Sequence, residues 1–546
     1  MKSSPHRVVY SVQIEPNKDY VIDVAPLHTL SEAESRGDYI KGREIAAGDM
    51  GTENEERDLR RGLAQRHISM IALAGSIGTG LFLSLGGAIQ KGGPLGALLG
   101  YAFIGVIVCV VQFALGEVTA LLPVTGSFVR HAEFLSDPAL GFALGWNIVY
   151  GNWLSIPSEI SAICVLFQYW TDLNSSVFIV IFILLTAFVG LVNIRWYGEI
   201  ECFFAMLKIF LVVGLILLGL IIDLGGVSDV ARIGFRHWKT PGPFVENVAS
   251  GHWGKILGFW SVMINAVFSF AGVESVAMAA AEINSPRRNI PKACKRVFAR
   301  VALFYVLGVL IVGVLVASDD PALSDDSGTA ATSPFVIAAS AAGIKAIPSI
   351  ALLAGTRVLY GIALKGQAPK VFLRTNRWGT PYVCVAIYIA FSFLAFMSLS
   401  NGGLTVFYWL LDLVGCGVLI SWSAILFNHL RLVAAMRKQK VSRRSLPWWT
   451  PYSAAAALFM CVIILLANGW TVFTHGGWSA AGFVTSYLDI PLVLVAYLAW
   501  RMYKRDKFVS LSVIPVEEVL KHIVLNPEEP EEKFKGWTRY LSFLWD

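Results

Sequence analysis

Two apolar segments of this chain are broken midway by short polar runs that carry glycine. They are Gly75-Ser76-Ile77-Gly78-Thr79-Gly80 in the first segment and Ser269-Phe270-Ala271-Gly272-Val273-Glu274 in the sixth. Glycine in mid-helix costs stability at each position, and backbone unwound inside a bilayer must find partners in protein, water or ligand. Such breaks are tolerated where they line a cavity. Each also opens a set of five apolar segments, so the two hold corresponding positions in two half-repeats. Interrupted segments placed in this way point to the midplane binding site of a secondary transporter.

The rest of the chain suits a membrane protein. Hydrophobic residues make up 55% and charged residues 15%, and the mean hydropathy of +0.62 lies far from that of an ordinary soluble enzyme. The rule of ~20 apolar residues per membrane helix gives about twelve spans. They fall near 68–89, 95–120, 140–168, 177–194, 200–222, 256–281, 297–317, 346–364, 382–400, 404–430, 451–468 and 482–500. Residues 1–66 read as a polar N-terminal tail, 67–501 as the transmembrane domain and 502–546 as a C-terminal tail. No apolar core follows a basic start, so a cleavable signal peptide is not expected. The cysteines at 109, 164, 202, 294, 384, 416 and 461 show neither metal nor disulfide spacing and read as small core hydrophobes. The net charge of +6 is too modest to argue for nucleic acid.

Basic residues set the orientation. Arg57, Arg60, Arg61 and Arg66 precede span 1, Arg287 to Arg296 lie between spans 6 and 7, and Arg431 to Arg444 follow span 10. Further basic residues follow spans 8 and 12, whereas Asp319, Asp320, Asp325 and Asp326 make the 7–8 connection acidic. Alternation on this pattern puts both termini in the cytoplasm. Arg232, Arg236 and Lys239, in an outer loop, depart from it. Asn174-Ser175-Ser176 is a glycosylation sequon on a short outer loop.

The chemistry of the two breaks suits an amino acid. Free backbone N–H groups at a half-helix N-terminus favour a carboxylate. Ser76, Ile77, Gly78, Thr79 and Gly80 would supply them, with the Ser76 and Thr79 hydroxyls as further donors. Carbonyls around Phe268, Ser269, Phe270, Ala271 and Gly272 would take the ammonium group, and the Phe268 and Phe270 rings would cover the side chain. The same glycines would also serve close helix packing. Ionisable residues within the spans are expensive and mark functional positions. They include Glu117 in span 2, Glu159 in span 3, Lys208 in span 5, Glu274 in the second break and Asp412 in span 10. Snorkelling or a buried pair would equally account for Glu117 and Lys208.

Several motifs occur together in order: HISMIALAGSIGTGLF from His67 to Phe82, Gly116-Glu117, Pro123 to Phe128, FSFAGVES at 268–275, INSPRR at 283–288, IPKA at 290–293 and LYGIALKGQAPKVF at 359–372. The set resembles the fungal amino acid permeases, the yeast amino acid transporter family of the amino acid–polyamine–organocation superfamily. The resemblance implies an all-α polytopic membrane protein with a leucine-transporter-like fold, two inverted five-helix repeats followed by two more helices. It implies proton-driven amino acid uptake at the plasma membrane and no cofactor. Its expected partners are amino acid, protons, membrane lipids, and a ubiquitin ligase with adaptors acting on the tails. In this family the position of Phe268 contacts and occludes substrate. Lys208 matches a lysine that stands in for a sodium ion in proton-coupled relatives. Glu159 matches a glutamate of substrate binding or proton coupling, here assigned to coupling, with Ser155 one turn earlier assigned to side-chain selection. Glu274 joins the coupling candidates.

Span 8 departs from the family pattern. Relatives carry a longer apolar run between Pro348-Ser349-Ile350 and Leu352 to Arg357, so span 8 is shortened here, and a transport-impaired product is one alternative. Enzyme function lacks support, since the nine histidines show no HxxxH or HExxH spacing. A channel would need a repeated filter or a charged ring. A permease-like amino acid sensor is the alternative of a different class. The aromatic residues at the second break and the absence of a clear extra charge in the side-chain pocket favour neutral substrates, over a broad range.

Overall fold

Proline and glycine, as much as hydropathy, decide where the helices of this chain bend and stop. The structure, a computed structural model, describes residues 8–15, 18–24, 80–122, 126–168, 173–191, 194–226, 232–274, 294, 303–320, 323, 367–374, 381–441, 449–474, 476–505, 507–514 and 516. Span 1 is described from Gly80, where a π-helical turn, Gly80–Ser84, leads into a helical run over Leu85–Leu121. That run contains the end of span 1 and all of span 2, joined at a sharp corner. Gly93 turns the chain with φ 77° and ψ 170°. Pro94 then restarts the helix where its missing N–H costs nothing. The corner is covered from outside the run: Leu95 N donates to Pro243 O at 3.0 Å, and Val245 N to Gly92 O at 3.3 Å.

Span 3 is Pro138–Gln168, span 4 Ser175–Leu191 and span 5 Ile194–Asp223. Span 6 runs as Gly251–Ser261 and Met263–Ser269 and then leaves the helix. Span 7 is described over Leu303–Leu315. Span 9 is Tyr382–Ser392, prolonged by 3-10 and helical turns to Asn401, span 10 is Gly403–Lys438 and span 11 is Thr450–Leu466. Span 12 consists of Ala480–Tyr487 and Asp489–Lys504, bent by 47°. Pro491 explains the bend, because it has no N–H for the Tyr487 carbonyl and its ring crowds that group. Among the described residues, four helices are long and apolar enough to cross a membrane, and the bent pair makes up to five. Span 8, near 346–364, lies outside the described residues.

Burial is inverted as a membrane requires. The apolar window of span 10 is 78% buried, at the centre of the bundle, against 17% for span 5. Phe188 on span 4, Phe210 and Leu217 on span 5 and Phe459 on span 11 stand exposed, as side chains facing lipid tails do. Cys164, Cys294, Cys384, Cys416 and Cys461 are buried free thiols.

Two elements are not anticipated by the hydropathy reading. In the N-terminal tail, Val8–Glu15 and Lys18–Val24 pair as an antiparallel hairpin, β1 and β2. The alternation of Tyr10, Val12 and Ile14 with Tyr20, Ile22 and Val24 is the period-2 signal for it. A loop helix, Ser127–Leu135, lies between spans 2 and 3, almost wholly buried although it holds Arg130 and His131. His131 Nε2 donates to Leu122 O at 2.8 Å. Burial, with help from the neighbouring Arg130, lowers its pKa from the ordinary 6.5 to about 4, so the imidazole is neutral.

The face where this loop helix meets spans 2, 3 and 10 carries Arg437 and Lys438 at the end of span 10 and Arg501 and Lys504 at the end of span 12; it is called the basic face below. Asp137 Oδ1 accepts from Ala139 N at 2.9 Å at the start of span 3. Its Oδ2 takes Arg501 Nη1 at 3.2 Å and Tyr497 OH at 3.0 Å from span 12. His429 Nε2 of span 10 meets Glu117 Oε2 of span 2 at 2.6 Å, so Glu117 is a member of a buried pair. Residues 507–514 lie across the same face. There Val509 N donates to Ser136 O at 2.8 Å, and Gln439 Nε2 to Leu511 O and Ile514 O at 2.9 and 2.7 Å.

Candidate functional site

The two breaks touch. Gly80 is buried, and a Cβ placed on it would stand 2.5 Å from Ser269 Cα and 2.7 Å from Ser269 Oγ. Only a residue without a side chain lets the first break approach the second this closely. Close packing and site formation, two readings of the same glycine, are therefore one event at Gly80.

Neutral hydrogen bonds hold the junction. Ser84 Oγ donates to Gly80 O at 2.6 Å, and Asn265 Nδ2 to Ser84 O at 3.1 Å. Ser269 Oγ donates to Asn265 O at 2.8 Å, which leaves Tyr101 OH, 3.0 Å away, as donor to Ser269 Oγ. Tyr305 OH of span 7 donates to Ser269 O at 2.5 Å. Past Ser269 the helix unwinds. Phe270 N still reaches Ala266 O and Val267 O at 3.1 Å, Ala271 N reaches back only to Phe268 O at 3.0 Å, and Gly272 has φ 90°. Glu274 closes the turn, accepting from Trp422 Nε1 of span 10 at 3.2 Å and from backbone N–H groups at Gly272 and Glu274.

These contacts refine what the second break can offer a ligand. The Phe268 and Ser269 carbonyls each already accept one bond, leaving one lone pair apiece. The Phe270 ring is fully buried, 4.6 Å from the Tyr305 ring and 6.4 Å from that of Tyr101 (centroid to centroid). In this conformation it packs against the tyrosines of spans 2 and 7. Phe268 stands edge-on to Phe407 of span 10, with centroids 5.9 Å apart.

With the junction described, the comparisons decide the family. The amino acid permease family matches residues 67–513. The chain belongs to this family. Among curated permeases it is 32% identical to the dicarboxylic amino acid permease of Saccharomyces cerevisiae, over all of this chain and 95% of that protein. The proline-specific permease of Emericella nidulans is 37% identical over 84% of this chain and 88% of that protein. A probable proline-specific permease of Schizosaccharomyces pombe is 36% identical over 79% and 83%. The alignment to the Saccharomyces permease spans 583 positions, more than the 546 residues of this chain, so the relative carries residues that are missing here. Two solved variants of a manganese transporter from Eremococcus coleocola share the fold, at TM-scores of 0.51 and 0.50, 15% and 13% identity, 80% of this chain and 94% of theirs. The membrane part of the permease therefore has the helical, leucine-transporter-like arrangement expected from its motifs, and the hairpin of the N-terminal tail stands outside it.

Within the permease, Ser76, Ile77, Gly78 and Thr79 lie outside the described residues. Ser155 and Glu159 are half-buried on span 3, and Glu159 lies within electrostatic reach of the Tyr305 hydroxyl that holds Ser269. Lys208 is half-buried on span 5 and has partners. Asp412 feels the charge of Lys91, from the other end of span 1.

Sequence reading missed Tyr101, Tyr305, Asn265 and Ser84, which sit in apolar spans and look like ordinary core residues. Their signal is collective, four hydrogen-bonding side chains on spans that flank the breaks. It also missed Asp489, an intramembrane carboxylate just ahead of Pro491.

Proposed function

We propose that this chain is a secondary active transporter that carries amino acids across the plasma membrane by proton symport with alternating access, with both termini in the cytoplasm. The observation that carries the reading is the contact of Gly80 with Ser269, which sets the two interrupted spans side by side. On this reading the substrate carboxylate binds the N–H groups and hydroxyls of Ser76 to Gly80. Its ammonium group binds the carbonyls left open from Phe268 to Gly272. Phe268 closes over the side chain and Ser155 contributes to its selection. Glu159, Lys208 and Glu274 are the candidates for proton coupling. Glu159 is best placed, because the hydroxyl it acts on also holds the second break. The basic face lies in the cytoplasm, as the charge rule requires.

Neutral amino acids over a broad range are the proposed substrates. Relatives named for dicarboxylic amino acids and for proline mark the two ends of the range to assay. The test is uptake of labelled amino acids by cells without permeases of their own. Accumulation that a protonophore abolishes and sodium removal leaves intact is expected; sodium-dependent uptake that survives the protonophore contradicts it. The shortened span 8 favours a second reading, a chain that binds amino acid and transports it poorly. Normal surface abundance with binding but no accumulation would decide for that reading or for a sensor.

A further inference from the structure

A second polar cluster lies at the junction of spans 3, 10 and 12. Asp489 begins the second half of span 12, directly after its bend, and is only 1% exposed. Across from it, Asn147 of span 3 donates through Nδ2 to Gly417 O at 2.9 Å and to Ser421 Oγ at 3.2 Å. Gly417 O can only accept, and the Ser421 hydroxyl hydrogen goes to Gly417 O at 3.0 Å. The amide is thereby fixed, with Nδ2 on span 10 and Oδ1 turned to the other side.

Asn147 Oδ1 and both Asp489 oxygens then lack a well-formed hydrogen bond among the described residues. They border one small space, since a Cβ on Gly417 would stand 3.5 Å from Asp489 Oδ2 and 3.6 Å from Asn147 Oδ1. The Tyr150 hydroxyl and the backbone of Gly417 approach the carboxyl as donors. The other titratable groups nearby are Cys416, whose Sγ donates to Ser486 O at 3.3 Å, and Asp412 one turn along span 10. Among the described residues, none of the groups acting on Asp489 is a cation.

Three acceptor oxygens at membrane depth thus share too few donors. An ionised carboxylate without a counter-ion costs several kcal/mol there. The start of the half-helix offers at most half a unit of positive charge. One hydrogen on Asp489 removes the charge and supplies the missing donor at once. We propose that Asp489, with Asn147 and Tyr150, forms a second proton-binding site, separate from the junction of the breaks, in which the Asp489 carboxyl is protonated and its O–H is directed toward Asn147 Oδ1. The occupant is a hydrogen ion taken from water, and no covalent step follows. The inference stands whether or not uptake is driven by protons.

The test is infrared difference spectroscopy of the purified full-length protein at neutral pH. Subtracting Asp489→Asn from the parent should reveal a protonated carboxyl C=O stretch that shifts in deuterium oxide. Asn147→Ala and Tyr150→Phe, which keep Asp489, should move that band. Should Asp489→Asn not fold, these two spectra and a pH titration of the parent band decide the matter. A carboxylate pair of bands in place of the C=O stretch would overturn the proposal. Loss of the C=O stretch on adding sodium at constant pH would also overturn it, since the site would then prefer a metal cation.

Discussion

The junction of the breaks and the basic face solve the same problem, the anchoring of polar groups between helices, with different chemistry. At the junction, hydroxyls and an amide do the work: Ser84, Tyr101, Asn265, Ser269 and Tyr305 make neutral hydrogen bonds, and Glu274 is drawn in as an ionisable group. At the basic face, ions and buried histidines do it: Asp137 with Arg501, Glu117 with His429, and His131 against Leu122. Depth explains the difference. A charge at the basic face is close to water, whereas a charge at mid-bilayer has to be neutralised by its surroundings. The junction should therefore be sensitive to shape and largely indifferent to pH and salt, and the basic face the reverse.

The largest expected effect is at the junction. Gly80→Val would push side-chain carbon into Ser269 backbone, which cannot yield as the end of a flexible side chain would. Uptake should fall by roughly 100-fold or more at normal surface abundance, since overpacking against backbone costs ~3 kcal/mol or more. Ordinary uptake by Gly80→Val would break the comparison at its strongest point. Tyr305→Phe removes the donor to Ser269 O. A loss of about tenfold in uptake is expected, from the ~1–2 kcal/mol of a buried acceptor left unpaired, with no change in its dependence on salt.

His131 gives the pH arm. Its pKa of about 4 in the fold lies below the ordinary 6.5, so between these values the unfolded chain binds the extra proton. The stability that His131 contributes is complete above pH 6.5, declines as pH falls toward 4 and is gone below, an effect of roughly 3 kcal/mol at ~1.4 kcal/mol per pH unit. Thermal melts of the purified protein should show this slope, and His131→Gln should flatten it. An unchanged slope in the variant would locate the titration elsewhere. The smallest effect belongs to Arg501→Ala. Arg501 is 40% exposed, so solvent screens its pairing with Asp137. A change in melting temperature corresponding to ~1 kcal/mol or less, shrinking further at high salt, is expected. A large loss that salt leaves untouched would show that the basic face depends on packing and not on charge.

Much of the fold was legible because a bilayer demands long apolar runs. Spans 3, 4, 11 and 12 lie within a few residues of where hydropathy puts them, whereas the helix of span 5 begins earlier, at Ile194, and that of span 10 runs on to Lys438, because both carry polar and charged residues beyond their apolar runs. The Ser127–Leu135 helix was not, because Arg130, His131 and Glu133 make a buried segment look like a solvated loop. Hydropathy shows only a connection at Gly93, since it is blind to a single positive φ. At the candidate site, glycine spacing revealed the breaks themselves. It could not reveal that the Phe270 ring turns to Tyr101 and Tyr305, because an aromatic beside a break suits a lining or a packing role equally well. Asp489 was open to view in the sequence, but its significance depends on which way the Asn147 amide points, and only the hydrogen bonds to Gly417 and Ser421 decide that.

The central claim is that the two touching breaks together hold the amino acid. The measurement that tests it most directly is a cryo-electron microscopy structure of the full-length chain with a transported amino acid bound. The account predicts the ligand carboxylate on the backbone N–H groups between Ser76 and Gly80, and its ammonium group on carbonyls between Phe268 and Gly272. An amino acid bound elsewhere, with Gly80 still against Ser269, would contradict it.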